Sequence, residues 1–146
     1  MQAAKCFAHT SPTPRPPAPP QPVNLFLSAK GDVRIANFYC ACEVSSTRDA
    51  VLAFDDKLEY RAPEDEPFSF ASDMFSVGVI LFEMATGELP DWSLDRDQLL
   101  ATIDDPRKHE LISFVLHADP SKRPTAEELL QKITSLAPSS MLESEF

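Results

Sequence analysis

Two short apolar runs, Leu25-Phe26-Leu27 and Val33-Arg34-Ile35, flank the turn-forming string Ser28-Ala29-Lys30-Gly31-Asp32. This pattern predicts a small β-hairpin that reverses at Gly31. Residues 40–60 show no period and contain Ser45, Ser46, Thr47, Asp55 and Asp56, which reads as a long loop. Apolar positions then crowd together at Met74, Val77, Val79, Ile80, Leu81 and Met84, ahead of Gly87 and Pro90. With Ser72 as cap, Asp73 as first-turn acid and Gly87 as terminator, they predict one helix. Because it is apolar on most sides, it belongs at the centre of the fold.

Three further helices are predicted, over residues 95–103, 107–117 and 125–136. The last opens with a Thr125-x-x-Glu128 capping box behind Pro124 and ends before Pro138. Leu129, Leu130 and Ile133 form its apolar stripe. The expected fold class is therefore mainly α, a small β-hairpin plus about four helices around a central hydrophobic helix.

The amino terminus has a different texture. Seven of the 14 prolines fall between Pro12 and Pro22, where fixed φ and missing N–H groups exclude helix and favour extended polyproline II. Residues 1–21 are read as a Pro-rich disordered arm, 22–136 as the folded unit and 137–146 as an acidic tail. The spacings Pro16 to Pro19 and Pro17 to Pro20 suit an SH3-type groove, so the arm is a candidate ligand for such a module.

Charge narrows the function. The chain of 146 residues has 13 Lys and Arg against 23 Asp and Glu, and its first thirty positions contain Lys5, Arg15 and Lys30 but no acid. Nucleic-acid binding requires clustered cations to displace counterions from phosphate, and no such cluster exists, so no nucleic-acid partner is expected. No apolar run approaches the ~20 residues of a membrane span, and Met1 to Thr10 does not read as a secretory signal. No membrane partner is expected, and the cytoplasm is the expected location. Cys6, Cys40 and Cys42 are too few and too poorly spaced for a disulfide framework or a four-ligand zinc site.

Five segments, taken in order, resemble the C-terminal lobe of the eukaryotic protein kinase superfamily, in serine/threonine-kinase style. Pro22 and Asn24-Leu25-Phe26-Leu27 are similar to the end of the HRDLKPxNILL catalytic loop. Thirteen residues after Asn24, Asn37-Phe38-Tyr39 falls at the metal-binding Asp-Phe-Gly, and Tyr60-Arg61-Ala62-Pro63-Glu64 resembles Tyr-x-Ala-Pro-Glu. Ser72 to Glu83 is similar to SDxWSxGVILxE, and Asp119 to Thr125 to DPxxRPT. The resemblance implies a partial protein-kinase-like C-lobe. It also implies a buried ion pair between Glu64 and Arg123, and a role for Asp73 as an acid that accepts backbone N–H groups, which a first-turn position would favour in any case. Removing one member of such a buried pair costs about 3–5 kcal/mol.

The chemistry expected from the resemblance is altered at each catalytic position. Kinase catalysis rests on a Gly-rich loop, a strand Lys, a catalytic Asp, and an Asp and Asn holding magnesium. Here the glycines are only Gly31, Gly78 and Gly87, the His-Arg-Asp positions are Pro17, Ala18 and Pro19, and the Lys position is Gln21. Asn24 and Asn37 remain as a degenerate pair of metal-ligand positions. Tyr39 replaces a flexible Gly, and Asp56 and Lys57 replace the Gly-Thr that precedes the Tyr.

No catalytic or cofactor-binding residue is therefore expected, and the chain is read as a pseudokinase fragment, not an enzyme, that acts by protein binding. ATP and magnesium would enter only with an N-lobe. The alternative is an incomplete copy of an active ATP-dependent serine/threonine kinase. The family helix that precedes the catalytic loop is replaced by the proline arm, which predicts that Val77, Ile80 and Leu81 are partly uncovered. That central-helix face, or the Pro-rich arm, is the expected protein-partner surface. Ser45, Ser46 and Thr47 are candidate phosphorylation positions, with Arg48 and Arg61 nearby.

Overall fold

The computed structural model describes residues 20–36, 58–64 and 69–136. The chain enters through buried Pro20 and Gln21 and a single 3₁₀ turn, Pro22–Asn24. Strands β1 (Leu25–Leu27) and β2 (Val33–Ile35) then pair antiparallel, with Leu25 opposite Ile35 and Leu27 opposite Val33. The reversal lies where the sequence places it. Gly31 takes φ 87°, a left-handed conformation that costs a residue without Cβ nothing. The Ser28 hydroxyl locks the turn by donating to the Asp32 carboxylate at 3.0 Å and accepting the Lys30 and Asp32 N–H groups.

Helix α1 (Phe70–Thr86) runs through the core. It starts earlier than predicted because Ser69, not Ser72, is the cap. The Ser69 N–H donates to Ser72 Oγ at 3.2 Å, which makes Ser72 the third helical residue. The serine signal was legible, but Phe70 and Ala71 are compatible with a helix and hide the first turn. The other end is as expected: Gly87 takes φ 82° and donates its N–H to the Glu83 carbonyl at 2.8 Å.

Helix α2 (Arg96–Leu100) is shorter than predicted. Asp95 caps it, but at its far end the Thr102 hydroxyl donates to the Leu99 carbonyl at 2.8 Å, and the chain tightens into three-residue turns through Ile103. Helix α3 (Pro106–Val115) begins on Asp105, whose carboxylate accepts the Arg107 N–H at 2.8 Å, with Pro106 at the favoured first position. It stops short of His117. Arg96 of α2 reaches over to the Leu116 and Ser113 carbonyls, at 3.2 and 2.5 Å, and so satisfies the Ser113 carbonyl that the His117 N–H would have taken in a longer helix.

Helix α4 (Ala126–Leu136) opens with the predicted box, in which Thr125 N–H donates to Glu128 Oε2 at 2.7 Å and Glu128 N–H to Thr125 Oγ1 at 3.2 Å. Its apolar stripe is narrower than expected. Leu129 is buried, whereas Leu130 and Ile133 are 63% and 40% exposed, because α4 meets only one flank of the core.

The main core joins Tyr60, Ala62, Phe75, Val79, Ile80 and Phe82 to Leu99, Leu100, Ile103, Ile112 and Leu116. A second cluster joins Met74, Val115 and Leu129, with Val77, Leu81 and Leu111 packed against it. Gly78 lets α1 lie close to the end of α3, since a Cβ there would meet Leu116 atoms at 3.2–3.3 Å. The expectation of an uncovered central helix is corrected at Ile80, which the Leu99–Ile103 region and α3 enclose. Val77 and Leu81 are half-buried.

Candidate functional site

The segment 58–64 reaches the core as a 3₁₀ turn, Leu58–Tyr60, followed by an irregular stretch with bends at Arg61 and Pro63. Arg123, just past the short turn Pro120–Lys122, projects its guanidinium into the space between that stretch and the start of α1. Arg123 Nη1 and Nη2 donate to Glu64 Oε1 and Oε2 at 2.6 and 2.7 Å, a two-pronged pair whose Arg side chain is 0% and Glu side chain 18% exposed. The remaining donors reach three carbonyls: Nη1 to Ala71 at 2.8 Å, Nη2 to Ala118 at 2.9 Å and Nε to His117 at 2.7 Å. The planar five-donor fork is thus filled, an arrangement that only arginine can provide.

Glu64 also accepts the Ser72 hydroxyl at 3.0 Å. Burial alone would raise its carboxyl, but hydrogen bonds from Arg123, its own backbone and Ser72 outweigh burial and hold it below the ordinary value. The expected Glu64–Arg123 pair is present. Sequence reading missed the part played by Ser72, which ties the helix cap to the ion pair.

Two further contacts anchor the same segment. The Tyr60 hydroxyl donates to Glu83 Oε2 at 2.7 Å, and burial, reinforced by that bond and the nearby charge, pushes the phenol well above its usual range. Ser76, fully buried within α1, donates to the Tyr60 carbonyl at 2.7 Å. A serine set among Phe75, Val77, Val79 and Ile80 was the one available sequence signal for this bond. On the opposite flank the Arg123 guanidinium lies 4.8 Å from the centre of the Phe75 ring, and Trp92 stacks on Phe75 at 5.5 Å with a 28° tilt.

The remaining sequence candidates lie elsewhere. Asn24 is buried at the base of the hairpin, where its carbonyl accepts the Ala36 N–H at 2.9 Å. Asp73 is a half-buried acid in the first turn of α1 and has an interaction partner. Asn37, Ser45, Ser46 and Thr47 lie outside the described residues, as do most of the Pro-rich arm and the acidic tail. Among the described residues, Asn24 is the only member of the expected magnesium set. One buried neutral amide, with no carboxylate beside it among the expected ligands, does not fit a hard divalent cation. Among the described residues, no group of three or more His, Cys, Asp or Glu is placed to hold a metal, and no helix is long and apolar enough to cross a membrane.

A segment clamped by a two-pronged Glu–Arg pair onto a central apolar helix, beside a small hairpin, is the arrangement of a kinase C-lobe. The sequence profile of the protein kinase domain matches residues 21–133, and the chain belongs to that family. It is similar to mitogen-activated protein kinase kinase 3 of Arabidopsis thaliana, at 30% identity over 126 residues, which covers 75% of this chain and 24% of that protein. The alpha chain of calcium/calmodulin-dependent protein kinase type II of Drosophila melanogaster is 30% identical over 131 residues, covering 76% of this chain and 25% of that protein. Mitogen-activated protein kinase kinase 2 of Arabidopsis thaliana is 27% identical over 133 residues, covering 76% and 37%. The chain thus spans between 24% and 37% of the length of these relatives. The expectation that the chain is not an enzyme is corrected by these matches, because a protein kinase domain and relatives named as protein kinases point to an enzyme class.

Proposed function

We propose that the chain provides the C-terminal, protein-facing lobe of a serine/threonine protein kinase. In this reading its work is to hold residues 58–64 as a rigid ledge for a protein ligand. The single observation that carries the proposal is the filled Arg123 fork, which closes that ledge onto α1 and the end of α3. A buried, fully hydrogen-bonded pair fixes one geometry, and phosphoryl transfer to protein depends chiefly on positioning.

The nucleotide clamp and catalytic Asp that such transfer requires are not encoded at the matching positions of these 146 residues, where Pro17, Ala18, Pro19 and Gln21 stand. The proposal therefore assigns the phosphoryl-transfer step to a product spliced so that a Gly-rich loop, a strand Lys and a His-Arg-Asp loop precede Asn24 in place of the Pro-rich arm. The test is transfer of labelled phosphate from ATP to a generic serine/threonine peptide mixture by the longest natural product containing this lobe. Activity that falls at least about tenfold in Arg123→Lys supports the reading. A longest product that lacks those three motifs, or activity indifferent to Arg123, overturns it.

A further inference from the structure

Arg123 reaches the ion pair from a loop that wraps around its own side chain. Residues 117–123 leave α3 and close through the short turn Pro120–Lys122. Within this loop the guanidinium takes the His117 carbonyl at 2.7 Å and the Ala118 carbonyl at 2.9 Å, and beyond it Glu64 and the Ala71 carbonyl. The His117 side chain adds a second tie, since its Nδ1 accepts the Asp119 N–H at 3.4 Å. A ring nitrogen that accepts carries no proton, so the neutral imidazole holds its proton on Nε2.

The surroundings of this ring oppose a positive charge. Burial disfavours one, and Arg96 from α2, then Lys122 and Arg123 from the turn, repel it, while Asp119 alone among the charged groups acting on the ring favours it. The Asp119 carboxylate is already engaged: it accepts the Ser121 N–H and hydroxyl at 3.0 and 2.7 Å and lies 3.7 Å from Lys122 Nζ. Arg96 and Arg123 are both held by carbonyls and can withdraw only by breaking those bonds. A proton on Nδ1 therefore removes the acceptor for the Asp119 N–H and sets a further cation among three. The strain is relieved most directly by movement of residues 117–119, which carry two of the carbonyls that hold Arg123.

We propose that His117 is a proton-operated latch on the ledge 58–64. With the ring neutral, the 117–123 loop holds Arg123 in the Glu64 pair. When Nδ1 takes a proton from solvent, the loop loosens, Arg123 loses the His117 and Ala118 carbonyls, and the ledge is released. The helices stay folded, because the apolar contacts of Val79, Ile112 and Val115 contain no titratable group. The inference deepens the proposed function by naming how its ledge is regulated, and rests on that reading. Its test follows the order of the ledge alone, so failure of phosphoryl transfer and failure of the latch are separate results.

Trp92 is the sole tryptophan of the 146-residue chain, and it stacks on the Phe75 ring over which the Arg123 guanidinium lies, so its emission reports the position of Arg123. The purified chain is taken from roughly pH 8 to pH 5 at fixed ionic strength, a range that brackets histidine titration. The expected result is a change in Trp92 emission and a several-fold fall in amide protection of residues 58–64, corrected for intrinsic exchange, with the helical circular dichroism spectrum unchanged. His117→Asn keeps a neutral oxygen able to accept the Asp119 N–H and should show neither change. If that variant loses its helical spectrum, Lys122→Gln, at a side chain 61% exposed, removes one opposing cation and should shrink the wild-type fall in protection. A flat wild-type response, a helical signal lost in step with ledge protection, an equal response in folded His117→Asn, or an undiminished one in Lys122→Gln would overturn the proposal.

Discussion

Arg123 meets Glu64 across 59 positions of sequence, and the pair leaves no donor of the guanidinium unmatched. It joins the stretch before α1 to the stretch before α4, so a single side chain closes two long connections. Arg123→Ala should destabilise the chain by about 3–5 kcal/mol, because Glu64 loses its countercharge and three carbonyls lose their donors. Arg123→Lys should recover only part of this, since a lysine supplies neither the second prong nor the planar fork. Urea unfolding followed by far-ultraviolet circular dichroism measures both, and equal midpoints for wild type and Arg123→Ala would refute the structural role.

The same pair predicts a response to acid. Glu64 is held below the ordinary value of a glutamate carboxyl in the folded chain, so it stabilises the fold at pH above that ordinary value and progressively less as pH falls through the lower folded value. His117 acts higher on the scale. Burial, then the charges of Arg96 and Lys122, hold its imidazole below 6.5, so protonation opposes folding and stability should decline as pH falls below 6.5. Urea midpoints between roughly pH 7 and pH 4 should therefore fall in wild type, more gently near pH 6 in His117→Gln, and more gently near pH 4 in Glu64→Gln. Parallel curves for all three proteins would contradict the assignment.

Tyr60 contributes through its hydroxyl as well as its ring. Tyr60→Phe keeps the buried ring but removes the bond to Glu83, and should cost about 1 kcal/mol. Because the phenol is held protonated, this contribution should persist at neutral pH and be lost as pH rises above about 10. A thermal scan of the variant at pH 7 and pH 10.5 separates the two regimes.

Gly78 marks the closest approach of α1 to the end of α3. A Cβ at this position meets the Leu116 backbone as well as its side chain, so Gly78→Val should destabilise by about 1–3 kcal/mol despite removing a helical glycine. A variant at least as stable as wild type would show that this contact has room to spare.

The capping box of α4 offers a surface control. Thr125→Ala removes the acceptor for the Glu128 N–H and should cost about 0.5–2 kcal/mol, with no effect on the pH response of Glu64 or His117. Loss of helical signal confined to the last helix, read by amide exchange, distinguishes this from global unfolding.

Much of the fold is legible in local pattern. The hairpin and its Gly31 reversal, the Gly87 stop and the Thr125–Glu128 box all follow from residues within a few positions of one another, so composition and spacing are enough to read them. Errors fall where a partner distant in sequence decides the outcome. Arg96 takes the Ser113 carbonyl at the end of α3, and α4 buries Leu129 but leaves Leu130 and Ile133 in water because only one flank of the core faces it.

The site divides along the same line. Order and spacing of the motifs were sufficient to bring out the resemblance to the family, because each motif is a contiguous string, and it was that resemblance, not the spacing, that implied the pairing of Glu64 with Arg123. Only tertiary structure could decide that Ser72 ties the cap to the ion pair, that Tyr60 finds Glu83, and that Arg123, Phe75 and Trp92 form one stack reaching the surface. Those contacts join side chains that sequence leaves far apart. Their distances and directions are set by how α1, α3 and the loops pack around them, a collective property that no window along the chain contains.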